Sequence, residues 1–299
     1  MRRSFSGSMT ALITPFQKDG SIDEPALDRL VEFQIANGTS ALVPCGSTGE
    51  SATLSHAEHL RVIKLVLDVA GGRVPVIAGT GSNSTSEAES LTREARAAGA
   101  DAALLISPYY NRPTQEGIYQ HYRHIAESSG MPLIVYNIPA RTGSKIEATT
   151  IARLAELDGI IGLKEATGSI DEAQEVIRLC GGAIEVYSGD DSLTLALLAV
   201  GAVGVISVLA NALPAASAAA VDAALRGDWA SAREQHYRLL PVMRTLFLET
   251  NPIPIKAALA MMGFCRDELR LPLLPMSAGP RERLRAALQN AGALDGAAA

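Results

Sequence analysis

Short apolar runs recur along the first two-thirds of the chain, each bounded by turn-forming residues. They cover Met9–Ile13, Ala41–Pro44, Val74–Ala78, Ala102–Ser107, Leu133–Tyr136, Ile160–Leu163, Ile184–Ser188 and Val203–Ser207. Both alternations within these runs are apolar, the pattern of parallel strands covered by helices on both faces. Between them the period lengthens to that of amphipathic helices. Asp23–Asn37 repeats apolar residues at Leu27, Leu30, Val31 and Phe33 and stops at Gly38. Ser55 opens the next helix, with Glu58 three residues on completing a capping box. Ser84 or Ser86 opens another that ends at Ala98-Gly99, and Thr114–Ser129 ends at Gly130. Glu147–Leu157, Ile170–Leu179 and Ser192–Val200 complete the set. Glycine just past the last helical turn is a C-cap signal.

Eight strands alternating with helices predict a (β/α)8 TIM barrel, an architecture of about 250 residues. A doubly wound sheet is the alternative, but it rarely needs eight equivalent units. The strands stop near Pro214, and Ala215–Arg226, Trp229–Phe247, Pro254–Met262 and Arg281–Ala291 read as helices. The expected organisation is therefore a barrel over 1–225 carrying a C-terminal helical region over 226–299, with the alanine-rich tail AGALDGAAA as a frayed end.

Composition narrows the function classes. The chain has 299 residues, 47% hydrophobic and 19% charged, with a formal net charge of −6, so no basic excess points to nucleic acid. Its three cysteines, Cys45, Cys180 and Cys265, form no C-x-x-C pair and suit a reducing cytosol. The N-terminus MRRSFSGSMT lacks the apolar core of a signal peptide. The apolar stretch Leu193–Leu209 is broken by Gly201, Gly204 and Ser207 and reads as a helix followed by a strand, not a membrane span. A cytoplasmic enzyme is the expectation.

In a barrel the chemistry gathers on the loops after the strands. Lys164 ends the sixth run, where strand gives way to loop. It is one of five lysines, with Lys18, Lys64, Lys145 and Lys256, in a chain that makes its basic surface mostly from arginine. Taken alone it reads as a solvated strand-end lysine paired with Glu165. Taken as chemistry, only an amine forms an imine, and burial lowers its pKa towards neutrality. Alternation puts Glu165 on the opposite face from Lys164, away from any reacting carbon. Lys256, in NPIPIK, is the competing amine, on a helix outside the barrel.

The other loops supply partners. Pro44–Ser51 carries Ser47 and Thr48 between glycines, where hydroxyls and consecutive N–H groups can approach an anion. It has no Walker lysine. Gly79–Asn83 is again small and polar. Tyr109 and Tyr110 are adjacent on a loop and point different ways. Tyr136 ends the fifth run with a phenol that needs a partner if buried. Arg141 follows in a turn, a fork suited to a carboxylate, although a plain surface arginine is the blander reading. Asp190 and Asp191 open a helix, where carboxylates suit the N-terminus; a metal site is the alternative there. His56/His59 and His121/His124 are i, i+3 pairs without a convincing third ligand, so no metal is expected. No G-x-S-x-G elbow is present.

Together, CGSTGESATLSHAEH, VPVIAGTGSNST, SPYYNRPTQEGIYQHY, YNIPARTG, GLKEATG, SGDD and NPIPIK resemble, in order and over nearly the whole chain, the 4-hydroxy-tetrahydrodipicolinate synthase (dihydrodipicolinate synthase) family. The wider superfamily, with N-acetylneuraminate lyase and the class I pyruvate aldolases, shares the barrel and the imine lysine. The resemblance implies that Lys164 forms a Schiff base with pyruvate and that the enamine attacks aspartate 4-semialdehyde, with no metal or organic cofactor. It implies Tyr136 as general acid/base, relayed through Ser47 and Tyr110, with Tyr110 reaching in from a neighbouring subunit. Thr48, the backbone at Ile206, and Gly189 would hold substrate, and Arg141 would grip the semialdehyde carboxylate. Arg141-Thr142-Gly143 favours the synthase over the lyase branch. Ser47, threonine in many members, is a departure that keeps the hydroxyl and loosens packing. The resemblance also implies L-lysine as an effector at Ser51, Ala52, His56, His59, Asn83, Glu87 and Tyr109, and a homotetramer built of two tight dimers. The plain alternative for the histidines is helix-start residues with solvent partners. Two other functions remain open to the sequence: a sugar-acid or sialic-acid lyase of the same superfamily, and an inactive barrel that binds a ligand.

Overall fold

Eight parallel strands form one sheet in the order β2-β1-β8-β7-β6-β5-β4-β3. They are β1 (Gly7–Ala11), β2 (Ala41–Val43), β3 (Ile77–Gly79), β4 (Ala102–Ile106), β5 (Leu133–Asn137), β6 (Ile160–Glu165), β7 (Glu185–Ser188) and β8 (Gly204–Ser207). The two edge strands meet through a parallel bridge between Leu42 and Val76, with Leu42 N–H donating to Pro75 O at 2.9 Å and Gly79 N–H to Pro44 O at 2.9 Å. The sheet is thereby closed into a (β/α)8 barrel. The computed structural model describes residues 5–294. Arg2 and Arg3, and the end of the alanine-rich tail at 295–299, lie outside the described residues.

Each strand is followed by a helix whose ends obey the local signals. Ser55 and Glu58 make the reciprocal capping box at His56–Ala70, which ends at Gly71 in the left-handed region with φ 55°. Ser84, rather than Ser86, caps Thr85–Ala98, and Thr114 caps Gln115–Ser129 before Gly130. After the helix Pro214–Leu225 come Trp229–Thr245, Ile253–Met261 and Ala278–Asn290. Their apolar faces share a core with the barrel: Leu239, Val242, Ile255, Leu259, Leu284 and Leu288 pack in one cluster with Leu12, Leu30, Leu42 and Val66.

The barrel interior is filled by alternating residues, among them Met9, Val43, Ile77, Leu104, Ile134, Tyr136, Ile161, Tyr187 and Ile206. Their neighbours Leu105, Val135, Leu163 and Val186 face the surrounding helices. On β6 this alternation is interrupted. Ile161 faces inward, so strict alternation would turn Leu163 inward and Lys164 out. Leu133 pairs with Ile160 but Ile134 pairs with Gly162, leaving one residue of β6 over. A bulge of this kind resets the parity of everything beyond it. Leu163 then joins the outer layer and Lys164 comes opposite Tyr136. Gly162 leaves room for this, since a Cβ there would stand 2.7 Å from Cε2 of Tyr187.

Most boundaries differ from expectation by one to three residues, and two of the differences have a plain consequence or cause. β6 runs through Lys164 to Glu165, so the lysine lies inside the strand and not at its junction with the loop. β3 begins at Ile77, not Val74, because Pro75 has no N–H to give to a ladder.

Candidate active site

Lys164 is only 5% exposed, and its Nζ lies 4.4 Å from the centre of the Tyr136 ring. Burial pulls its pKa down to about 8, helped by the positive charge of Arg141 and opposed by the carboxylate of Asp191. The amine is therefore neutral in about a tenth of molecules at pH 7. The solvated Lys164–Glu165 pair that the bare sequence allowed does not form. Glu165 lies on the other face, buried, and accepts the Thr167 N–H at 2.6 Å. Burial also pushes the Tyr136 phenol up to about 12, with Arg141 and a hydrogen bond from Ser47 opposing and Asp190 adding. Ser47 and Tyr136 are thus neighbours.

The space around Lys164 is kept by Gly189. A Cβ at that position would come within 3.0 Å of Lys164 Cε and 2.8 Å of Ala166 Cβ. Any side chain there would crowd the end of the Lys164 side chain.

Ser47 and Thr48 sit on a single 3-10 turn, Ser47–Gly49, after β2. The N–H groups of Gly49 and Ser51 bond to Gly46 O and that of Glu50 to Ser47 O. Part of the run of amides that the loop composition suggested is therefore spent within the turn. Thr48 is buried, and its Oγ1 accepts from Asn251 Nδ2 at 3.0 Å. Arg141, on the short helix Pro139–Thr142, donates through Nη2 to Asn251 O at 2.6 Å. Ile206 is buried in β8 opposite Met9.

Ser47, Tyr136 and Arg141 line a cavity of about 450 Å³. The same cavity is lined by Ser51, Ala52, His56, His59, Glu87 and Tyr109, the greater part of the expected effector set. Glu87 is held by Ser82 Oγ and by His56 Nε2, the latter at 2.5 Å, and these partners keep its carboxyl below the usual range. His59 corrects the plain reading of the histidines as solvated helix-start residues. It is 5% exposed, its Nε2 bonds to Gly79 O at 2.6 Å, and burial lowers its pKa. Asn83 stands outside the cavity lining, with its carbonyl accepting from Asn111 Nδ2 at 2.9 Å. Tyr110 is 90% exposed and does not join the cavity of its own chain, whereas Tyr109 does. His121 and His124 bond to Thr85 and Glu89 on the neighbouring helix, and among the described residues no three His, Cys, Asp or Glu side chains gather as a metal ion would need.

The sequence model of the Dihydrodipicolinate synthetase family matches residues 4–291. The chain belongs to this family. The 4-hydroxy-tetrahydrodipicolinate synthase of Syntrophus aciditrophicus is 56% identical over 288 residues, spanning 96% of this chain and 99% of that relative. Among solved structures, the chloride-inhibited dihydrodipicolinate synthase of Acinetobacter baumannii, complexed with pyruvate, superposes with a TM-score of 0.96 at 47% identity, covering 97% of this chain and all 100% of the other. The lysine-bound enzyme of the family from Cyanidioschyzon merolae gives a TM-score of 0.94 at 38% identity, covering 97% and 99%.

Within this family frame, several groups at the site carried no individual signal in the sequence. Asp191, read as a helix-opening residue, is buried and accepts from Ser207 Oγ at 2.5 Å, Val208 N at 3.0 Å and Leu209 N at 2.9 Å, bracing the loop just after Ile206. Glu50 pairs with Lys256 in complete burial. Lys256, the rival nucleophile by composition, is thus committed to an ion pair, and its Nζ also donates to Glu268 O at 2.8 Å. The NPIPIK motif carried the resemblance, but nothing in its spacing said which partners Asn251 and Lys256 would find more than 200 residues upstream, as the 203-residue separation of Asn251 from Thr48 shows.

Proposed function

We propose that the chain is a 4-hydroxy-tetrahydrodipicolinate synthase, condensing pyruvate with L-aspartate 4-semialdehyde on the route to diaminopimelate and lysine. The observation that carries the reading is the buried Lys164 amine against the Tyr136 phenol, in a chain 56% identical to a synthase of that name. The neutral amine attacks the keto carbon of pyruvate, and the carbinolamine loses water to give an imine. The imine is an electron sink, so the neighbouring methyl loses a proton and becomes an enamine carbon. That carbon attacks the aldehyde of the semialdehyde, whose oxygen takes up a proton. The substrate's own amine then adds to the imine carbon and expels Lys164, closing the ring.

Tyr136 suits the proton transfers because a phenol held near pKa 12 is neutral in the resting site and acts by passing protons rather than by carrying a charge. Ser47 continues the relay, and Tyr110 of a second copy completes it. Thr48, Ile206 and Gly189 serve pyruvate, and Arg141 the semialdehyde carboxylate. The chain would work as a cytoplasmic homotetramer, by formal class a carbon–oxygen lyase, needing no metal or organic cofactor. L-Lysine would bind across Ser51, Ala52, His56, His59, Asn83, Glu87 and Tyr109, its ammonium on Glu87. The lysine-bound relative from Cyanidioschyzon merolae supports this last assignment.

The deciding experiment offers purified enzyme pyruvate and borohydride, then reads the mass of the peptide bearing Lys164. A reduced pyruvyl adduct on Lys164, with ring product formed from the semialdehyde in its absence of borohydride, is expected. Turnover of a sugar acid with none of the semialdehyde would overturn the reading, and loss of activity in EDTA without any borohydride effect would overturn the imine.

A further inference from the structure

Thr48 Oγ1 has one proton and must choose where to send it. The Asn251 amide settles the other side of that choice, since Nδ2 donates to Oγ1 at 3.0 Å and occupies an acceptor lone pair. The hydroxyl proton is left to be given elsewhere, which is the state needed to hold a carboxylate. Both residues are buried, Thr48 to 3% exposure and Asn251 to 6%, so water does not compete for this bond. The same residue reaches the second anion-binding group, because its backbone carbonyl accepts from Arg141 Nη2 at 2.6 Å.

The turn that carries Thr48 is itself anchored from the C-terminal helices. Glu50 adopts φ 54°, in the left-handed region, and so aims its side chain away from the turn to the buried Lys256. Its Oε2 also accepts the Arg270 N–H at 3.1 Å. The Thr48 hydroxyl is therefore fixed in place by Glu50 and in direction by Asn251.

We infer that Asn251 is a positioning residue for pyruvate: its amide turns the Thr48 hydroxyl into an obligate donor to the substrate carboxylate. This rests on the assignment of Lys164 and Thr48 to pyruvate made above. The effect belongs to substrate binding, and it acts only through the Thr48 hydroxyl.

The test measures the pyruvate concentration giving half-maximal borohydride-trapped adduct on Lys164, together with kcat and thermal midpoint, in four proteins: wild type, Asn251→Ala, Thr48→Val and the double variant. Asn251→Ala is expected to raise the half-saturating pyruvate about tenfold, with kcat changed far less. In the Thr48→Val background the same substitution is expected to add nothing, because the hydroxyl it directs is gone. Asn251→Asp keeps the shape and reverses the bond, since a carboxylate accepts the Thr48 proton; it is expected to weaken pyruvate more than alanine does, and it carries the comparison if the alanine variant folds poorly. An equal shift in both Thr48 backgrounds, or pyruvate binding unchanged in Asn251→Asp, overturns the inference while leaving the proposed function standing. Wild-type enzyme that forms no adduct overturns the proposed function, and this inference with it.

Discussion

Lys164 and Tyr136 are direct partners in the ladder between β6 and β5, with the amine 4.4 Å from the centre of the phenol ring. Both are buried, and burial moves the two groups in opposite directions: the amine down to about 8, the phenol up to about 12. Desolvation penalises the charged form of each, which raises the neutral share of the amine while the phenol stays protonated. A neutral amine beside a protonated phenol is the starting state that imine formation requires.

The sign of the pH dependence follows. Imine formation needs the unprotonated amine, so its rate should fall about tenfold for each pH unit below about 8 and level off above it. Stopped borohydride trapping at subsaturating pyruvate, from pH 6 to about 9.5, reads this directly. A midpoint near the ordinary lysine value would mean that Lys164 is more hydrated than its burial indicates.

Tyr136→Phe removes the proton carrier and keeps the buried ring. The expected result is a loss of kcat on the order of 10²–10⁴-fold with a thermal midpoint close to wild type. Ser47→Ala should act in the same direction and less strongly, and Ser47→Thr, which retains the hydroxyl, should keep most of the rate. Steady-state kinetics on the three variants decide; wild-type kcat in Tyr136→Phe would remove the phenol from the mechanism.

Tyr110 is 90% exposed in the single chain and stands apart from the cavity that Tyr136 lines. If a neighbour receives it, two inactive variants should rescue each other. Tyr110→Phe and Lys164→Ala, each nearly inactive alone, are expected to regain activity when co-expressed, because a mixed assembly contains sites with Lys164 from one chain and Tyr110 from the other. Activity of the separated hybrid no greater than that of either parent would place Tyr110 outside the reaction.

The Lys256–Glu50 pair is fully buried, so removing one partner strands the other charge. Lys256→Met should cost about 3–5 kcal/mol of stability, and the double variant with Glu50→Gln should recover part of it. Denaturant unfolding of the single and double variants measures the coupling. A neutral Lys256→Met would show that the pair contributes no net stability.

The fold was largely readable because its signals are local. Caps such as Ser55 with Glu58 and glycines such as Gly130 mark helix ends within a few residues, and the two-sided apolar runs announce buried parallel strands. The facing of Lys164 was not readable in the same way. It depends on the extra residue near Ile161, and a bulge leaves no trace in a run where both faces are apolar. Glu50 and Asn251 were hidden for a different reason. Glu50 sits in a polar loop like many surface glutamates, and its burial is conferred by Lys256 and Arg270, far away in sequence. Tyr136, Ser47 and Arg141, singled out through the family resemblance, line one cavity, which spacing alone did not say.

The bonds that hold the Thr48 turn span 203 residues to Asn251 and 220 to Arg270. A chain made from its N-terminus exposes that turn long before these partners exist. A protein halted between Ser207 and Asn251 would possess Lys164, the Tyr136 phenol and all eight strands while the Thr48 turn lacked both of these partners. The C-terminal region is in this architecture a brace for the Thr48 turn as well as a cover for the barrel.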